Sequence, residues 1–357
     1  MNKPFRLEKV VLQPTSLCNL DCRYCYLPER GRRLVMEPRV AAHIAEGLKA
    51  HDEPVWVIWH GGEPLSCGLK HFASLYSPFA SLGHVTHSVQ TNATLINEAW
   101  CDFFKSNSFH VGISLDGPDD LNGNRVDKSG GATYHKVMEG VARLKQAGVE
   151  FHVIAVVDDR GLENARELYS FFAVLGCRSL GINIEEREGV NTARPPCDSH
   201  KVSMFWEELF AAWKANPVIK IREFRHVLHW MSAVCGERDE LREFKRDIFP
   251  TVAWNGDVVV LSPELNGAKS IKYGNFVVGN VCSEPLVGIL AHAQAAPYVH
   301  DFLSGVSKCK EQCDYFSFCG GGQASNKFYE LGEMDGTETI FCRNSKKRLV
   351  DSVLSSL

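Results

Sequence analysis

The chain has 357 residues, 45% of them hydrophobic, with 39 Lys and Arg against 43 Asp and Glu, a formal net charge of -4. That length suits one barrel-sized unit plus an extension, and the slight acidic balance gives no electrostatic case for DNA or RNA as a partner. No apolar run is long enough to span a bilayer, so no membrane is expected. With no charged-then-apolar leader at the start, the thirteen cysteines point to metal or redox work in the cytoplasm rather than to disulfides.

In chain order, Val10 to Gln13 reads as a first strand, and directly after it stand Cys18, Cys22 and Cys25, spaced CxxxCxxC. Three thiolates at this spacing grip three corners of a cube-shaped iron-sulfur cluster, and the short loop supplies no fourth ligand, which leaves one iron open. Structural zinc competes with that reading, but it takes four ligands and the next cysteine is Cys67. A disulfide framework belongs to short secreted chains.

Apolar spacing from Glu37 to Lys49 predicts a helix with Pro38 in its first turn. Strands are expected at Val55 to Trp59, His87 to Thr91, His110 to Leu115, Phe151 to Val157 and Ser179 to Ile184, separated by helix-length segments. Such alternation predicts an α/β fold with a parallel sheet and right-handed crossovers. Six βα units are too few for a closed eight-stranded barrel, so a partial (β/α)6 TIM-type barrel over residues 1–186 is expected. In barrels the chemistry sits at the C-terminal ends of the strands. The cysteines follow strand one, Gly61-Gly62-Glu63-Pro64 follows strand two, Asn92 ends strand three, and Ser114 to Gly117 ends strand four. Each of the last three also reads as plain turn punctuation.

Residues 187–234 form a bridge with helical segments near Phe205 to Trp213 and Phe224 to Met231. Residues 235–357 make an extension in which Asn255-Gly256 closes a hairpin between 251–254 and 257–261. There, Cys309, Cys313, Cys319 and Cys342 offer four thiolates, enough to close every corner of a second cluster; zinc fits that count equally well. Cys67, Cys101, Cys177, Cys197, Cys235 and Cys282 are left unassigned and read mostly as core or surface thiols, with Cys235 and Cys282, which flank the hairpin, the two open to binding something.

With Tyr24 before the third cysteine, the first motif resembles that of the radical SAM enzymes, which use a four-iron four-sulfur cluster to split S-adenosylmethionine. The resemblance implies that Gly61, Gly62, Glu63 and Pro64 contact the amino group of the methionine moiety and that Ser114 helps hold its carboxylate. Tyr24 and Asn92 would join the cofactor site, and Asp116 is the candidate for a catalytic role. The extension resembles the SPASM type, whose usual form carries seven cysteines for two auxiliary clusters. This chain departs from it at Leu261 and Gln323, both ligand positions of the same cluster. The expected cofactors are therefore S-adenosylmethionine and two 4Fe-4S clusters, the second held by Cys309, Cys313, Cys319 and Cys342.

Leu12-Gln-Pro-Thr-Ser16, His87-Ser-Val-Gln-Thr-Asn92, Asn183-Ile-Glu-Glu186, Ser262-Pro-Glu-Leu265 and Cys319-Gly-Gly-Gly322 are similar to the cyclophane-forming peptide maturases of the glycine-rich-repeat branch. That implies a ribosomally made precursor peptide in which an aromatic ring is joined to the β-carbon of a nearby residue, and an external electron donor of flavodoxin or ferredoxin type. With the first barrel strand beginning by Val10, no N-terminal leader-binding module is expected. The bridge, the extension or a separate leader-binding protein would take the leader. Other radical peptide modifications (formylglycine formation, thioether formation, epimerisation) and a non-catalytic electron-transfer protein are the competing functions.

Overall fold

A computed structural model describes residues 5–235 and 246–357. Its strands are β1 (Phe5–Arg6), β2 (Lys9–Leu12), β3 (Val55–Trp59), β4 (Val85–Thr91), β5 (His110–Ser114), β6 (Phe151–Val157), β7 (Ser179–Ile184), β8 (Lys220–Ile221), β9 (Arg246–Asp247), β10 (Thr251–Val252), β11 (Asp257–Val259) and β12 (Gly279–Asn280). The six strands β2 to β7 run parallel in sequence order, as the βα alternation requires. Helices of 8–14 residues connect them and cover one face, among them Pro38–Lys49, Glu98–Ser106 and Tyr134–Ala147.

Local chemistry explains the boundaries. Pro38 opens its helix at a position where a missing N–H costs nothing, and Val40, Ala41, Ile44, Ala45 and Leu48 make one buried stripe. Asn97 caps the next long helix by accepting from the Trp100 N–H at 3.1 Å. Residues alternate between burial under the helices and partial exposure on the concave face, as in β6, where Phe151, Val153, Ala155 and Val157 are buried and His152, Ile154 and Val156 are not. The helix-side core is densely aromatic around Trp59, Phe72, Phe79 and His87.

The sheet does not stop at β7. Lys220–Ile221 of the bridge pairs parallel to β7, and on the opposite edge the hairpin of the extension pairs through Thr251 and Val252 with Val11 and Leu12 of β2. The full order is β12-β11-β10-β2-β3-β4-β5-β6-β7-β8, so bridge and extension are both hydrogen-bonded into the barrel's own sheet. The hairpin expected at Asn255-Gly256 is present, with antiparallel register Thr251 to Val259. The long bridge helix, Ser199–Ala215, packs on the terminal helix Arg348–Ser355. Among the described residues, no helix is long and apolar enough to cross a membrane.

Candidate functional site

The cysteine loop after β2 is tied down by its own backbone. Cys18 donates to the Arg30 carbonyl at 2.9 Å, Cys25 to the Cys22 carbonyl at 3.1 Å, and the Ser16 hydroxyl to the Arg32 carbonyl at 2.6 Å. The loop after β3 docks against it: Glu63 donates its backbone N–H to the Leu17 carbonyl at 2.8 Å. A Cβ on Gly62 would lie 2.6 Å from the carbonyl oxygens of Leu17 and Thr15, and its φ of +65° is left-handed, so glycine is required there on two counts. The chain thus brings the CxxxCxxC loop and the Gly61-Gly62-Glu63-Pro64 loop into direct contact.

Glu63 is 1% exposed and its carboxylate is already engaged, accepting from Thr91 Oγ1 at 2.7 Å, the Asn92 N–H at 2.7 Å and the Leu65 N–H at 3.0 Å. It fastens the end of β4 to the glycine loop, and the loop's backbone carbonyls are the better acceptors for an ammonium group. Asn92 reaches back to the cysteine loop, donating to Asn19 Oδ1 at 2.8 Å and to the Cys18 sulfur at 3.8 Å. Ser114 accepts from Gln90 Nε2 at 2.9 Å. Pro64 opens a 3-10 turn to Cys67.

Tyr24 and Asp116 form a buried unit with an arginine that the sequence did not single out. The Tyr24 hydroxyl donates to Asp116 Oδ2 at 2.6 Å and accepts from Arg125 at 2.6 Å, while Arg125 stands 3.6 Å from Asp116 Oδ1. Asp116 also accepts from the Val156 N–H at 3.1 Å. These contacts tie the end of β5, through Asp116, to β6 and to the cysteine loop. Burial raises the Asp116 carboxyl above the usual range, against the pull of Arg125. Asn19, Gln90 and Arg125 are site neighbours missed in the sequence, because nothing about a lone polar residue in a loop or strand reports what it faces.

The thiols of Cys18, Cys22 and Cys25 are near enough to repel one another's ionised forms. Burial pushes Cys18 up to about 12, with the Glu63 carboxylate adding to it, so an electrophilic partner such as iron is needed to hold it as thiolate.

In the extension, Cys309, Cys313, Cys319 and Cys342 all line one cavity of about 180 Å³. Cys319 is lowered to about 6, chiefly by a hydrogen bond from Cys342, and the Gly322 N–H donates to its sulfur at 3.2 Å. Lys327 is fully buried, its Nζ has no hydrogen-bond partner among the described residues, and the thiolates of Cys309, Cys342 and Cys319 act on it. A buried ammonium without such a partner, over the Phe302 ring and under the influence of three of these thiols, fits a site built for an anionic group. Among the described residues, no three His, Cys, Asp or Glu side chains converge on a single metal ion. Thiols that surround a void suit a cluster, whose ligands bind separate corners, better than a mononuclear zinc.

Of the remaining cysteines, Cys67, Cys101, Cys177 and Cys197 are buried, whereas Cys235 and Cys282 are exposed. At the two departures from the seven-cysteine pattern, Leu261 packs on the core and Gln323 is exposed before a short helical turn.

A profile of the Radical SAM superfamily matches residues 12–172, the segment from the first barrel strand through four further strands. An uncharacterized protein of Synechocystis is 33% identical over 98% of this chain and 91% of its own length. The chain belongs to the radical SAM superfamily. A serine-type anaerobic sulfatase-maturating enzyme of Bacteroides thetaiotaomicron is 27% identical over 94% of this chain and 86% of the relative. The radical SAM fold is seen again in native anSMEcpe with bound AdoMet and a Cp18Cys peptide (TM-score 0.79, 22% identity, 98% and 97% coverage). Streptococcus suis SuiB bound to its precursor peptide SuiA superposes with a TM-score of 0.70 at 18% identity, covering 94% of this chain and 76% of SuiB.

Proposed function

We propose that this protein is a radical SAM enzyme that modifies a ribosomally made precursor peptide, closing a cyclophane carbon-carbon bond between an aromatic ring and the β-carbon of a nearby residue. In this reading residues 1–186 are the radical-generating barrel, 187–234 the bridge and 235–357 the auxiliary-cluster extension. Cys18, Cys22 and Cys25 hold the first cluster, and Cys309, Cys313, Cys319 and Cys342 the second. The observation that carries it is the second cysteine set: four thiols around one cavity, with leucine and glutamine where a further cluster's ligands would stand.

When bound, the first cluster and S-adenosylmethionine supply a carbon-centred radical strong enough to take hydrogen from an unactivated carbon. The chain's own residues do the rest. Carbonyls of Gly61 and Gly62 would accept from the cofactor's ammonium, Ser114 and Asn92 would hold its carboxylate, and Tyr24, Asp116 and Arg125 would steady the strand ends that carry them. Forming the crosslink breaks one β-carbon C–H bond and one ring C–H bond. One hydrogen leaves as an atom; the other leaves as a proton plus an electron. Cys309, Cys313, Cys319 and Cys342 would hold the cluster that supplies an acceptor for that electron, and an external flavodoxin or ferredoxin would supply the reducing one.

The test is coexpression with whatever small peptide a neighbouring gene is found to encode, followed by mass and NMR analysis. Loss of two hydrogens per crosslink with a new bond from ring to β-carbon is expected; an unaltered peptide alongside active S-adenosylmethionine cleavage sinks the crosslinking assignment. The Bacteroides relative favours a second reading, formylglycine formation. A peptide with a sulfatase-type serine or cysteine, assayed for aldehyde with a hydrazide, tests it.

A further inference from the structure

Carboxylates gather where the last full barrel strand meets the extension. Glu186 and Glu188 follow β7, and Glu264 lies in the 3-10 turn Pro263–Leu265. They are near enough to disfavour one another's ionisation: burial is the leading cause in each, and it carries Glu186 and Glu264 up to about 7 and Glu188 well above its usual range. Among the described residues none of the three forms an ion pair with Lys or Arg, although Lys346 exerts a weak pull on Glu186. Nearby basic groups are committed elsewhere, Arg194 to Glu185 at 2.6 Å and Arg187 to the Thr192 carbonyl at 2.7 Å. Glu330, the fourth acid in the group, is satisfied by the backbone N–H groups of Ile340 and Phe341.

Two unsatisfied acceptors lie here, beside the buried Ser325 hydroxyl, which eases the ionisation of Glu188 and has no other partner among the described residues. Glu188 is 7% exposed, and its Oε1 is sealed from solvent with no hydrogen-bond partner among the described residues. Asn326 is fully buried; its amide donates to Glu186 Oε2 at 2.7 Å while its own Oδ1 has no partner among them. Orphaned acceptors beside uncompensated carboxylates call for a donor with positive charge, and an ammonium with three N–H groups or a guanidinium with five answers that. The group is also next to the radical site. Tyr26, one residue after Cys25, feels the charges of Glu264 and Glu188, and its hydroxyl lies 3.4 Å from Nε2 of His60, which precedes Gly61.

We propose that Glu186, Glu188, Glu264 and Asn326 form a subsite for a basic side chain, lysine or arginine, of the substrate peptide, fixing which residue is presented beside the first cluster. This rests on the peptide-modification reading and narrows it to peptides with a cation close to the modified position. Two short peptides, acetyl-Phe-Lys-Gly-Phe-amide and the same sequence with norleucine for lysine, would be titrated calorimetrically into anaerobically reconstituted full-length protein with S-adenosylmethionine. About a tenfold tighter binding of the lysine peptide is expected, falling to parity in Glu188→Gln/Glu264→Gln. The single variant Glu264→Gln is expected in between, and thermal melting confirms that each is folded. Equal binding of the two peptides by the wild type, no binding of either, or a lysine preference that survives in the double variant each overturns the subsite. Formation of 5'-deoxyadenosine in the same samples separates the outcomes: cleavage without a charge preference removes the subsite alone, and absence of cleavage removes the enzymatic reading.

Discussion

Around Cys18, Cys22 and Cys25 the Glu63 carboxylate bears on the first thiol, and two cations act on the set: Arg30, which also pairs with Asp21, and Arg125, which is shared with Asp116 and Tyr24. Around Cys309, Cys319 and Cys342 the buried charges are Lys327, Lys346 and Arg246, and Arg246 donates to the carbonyls of Gly320 and Gly322, the latter at 2.8 Å. Negative surroundings favour a site that gives up electrons and attracts a ligand's ammonium; positive surroundings favour one that takes electrons. The cations gathered at the second set, against the carboxylate beside the first, support the proposed division into an electron donor and an electron acceptor.

The largest effects that would break this contrast come from the thiols. Cys18→Ala with Cys22→Ala is expected to remove about half the iron and abolish 5'-deoxyadenosine formation. Cys309→Ala with Cys313→Ala should remove the other half, leave cofactor cleavage measurable and stop crosslinking; full crosslinking there would deny the second site its electron role. Next comes Gly62→Ala, whose methyl meets two carbonyl oxygens at 2.6 Å in a left-handed conformation and should cost about 2–4 kcal/mol, read as weaker S-adenosylmethionine binding or a lower melting temperature. Gly68→Ala, left-handed but with open space around it, is the milder control.

Lys327→Met sharpens the comparison without removing a ligand. Deleting that buried charge should lower the midpoint potential of the second cluster by about 60 mV, a tenfold change for one electron, and leave the first unmoved in an EPR-monitored titration. An unchanged potential would mean that Lys327 is no part of the acceptor's design.

The smallest effect lies outside both sites. Burial lowers His87 to about 4, so the unfolded chain binds its proton first as pH falls below about 6.5. Its contribution is complete above that pH and is lost towards pH 4, about 2 kcal/mol by pH 5. His87→Phe should therefore flatten the fall in stability between pH 7 and pH 5 in denaturant titrations, although it deprives Trp59 Nε1 of the acceptor it now holds at 3.1 Å. The raised carboxyls of Glu186 and Glu264 oppose this trend equally in both proteins, since their stabilisation is lost as pH rises through about 7.

The barrel was legible because its signals are local: Val55 to Trp59 and Phe151 to Val157 announce strands by composition, and Cys18, Cys22 and Cys25 announce a cluster by spacing. Glu63 shows where local reading runs short. It stands in the right motif, yet its carboxylate is held by Thr91 and Asn92 from the next strand, a partnership fixed only by sheet register. Arg125 and Glu188 were invisible for the same reason, since a charged residue in a loop looks solvated until the fold buries it. β8 and β10 were missed as barrel edges because two residues of strand carry no period, and their pairing spans long stretches of chain.

The seam between β2 and β10 has a consequence for synthesis. Val11 and Leu12 leave the ribosome early, but the backbone groups on one side of them wait for Thr251 and Val252, and Phe5 likewise waits for Arg246. Through most of translation the nascent barrel carries an apolar, open strand edge, the kind of surface that invites pairing with another chain. Closing so distant a contact is slow. Chaperone demand in the cell, and the timing of iron delivery to the adjacent cysteine loop, would then be governed by the arrival of the C-terminal hairpin.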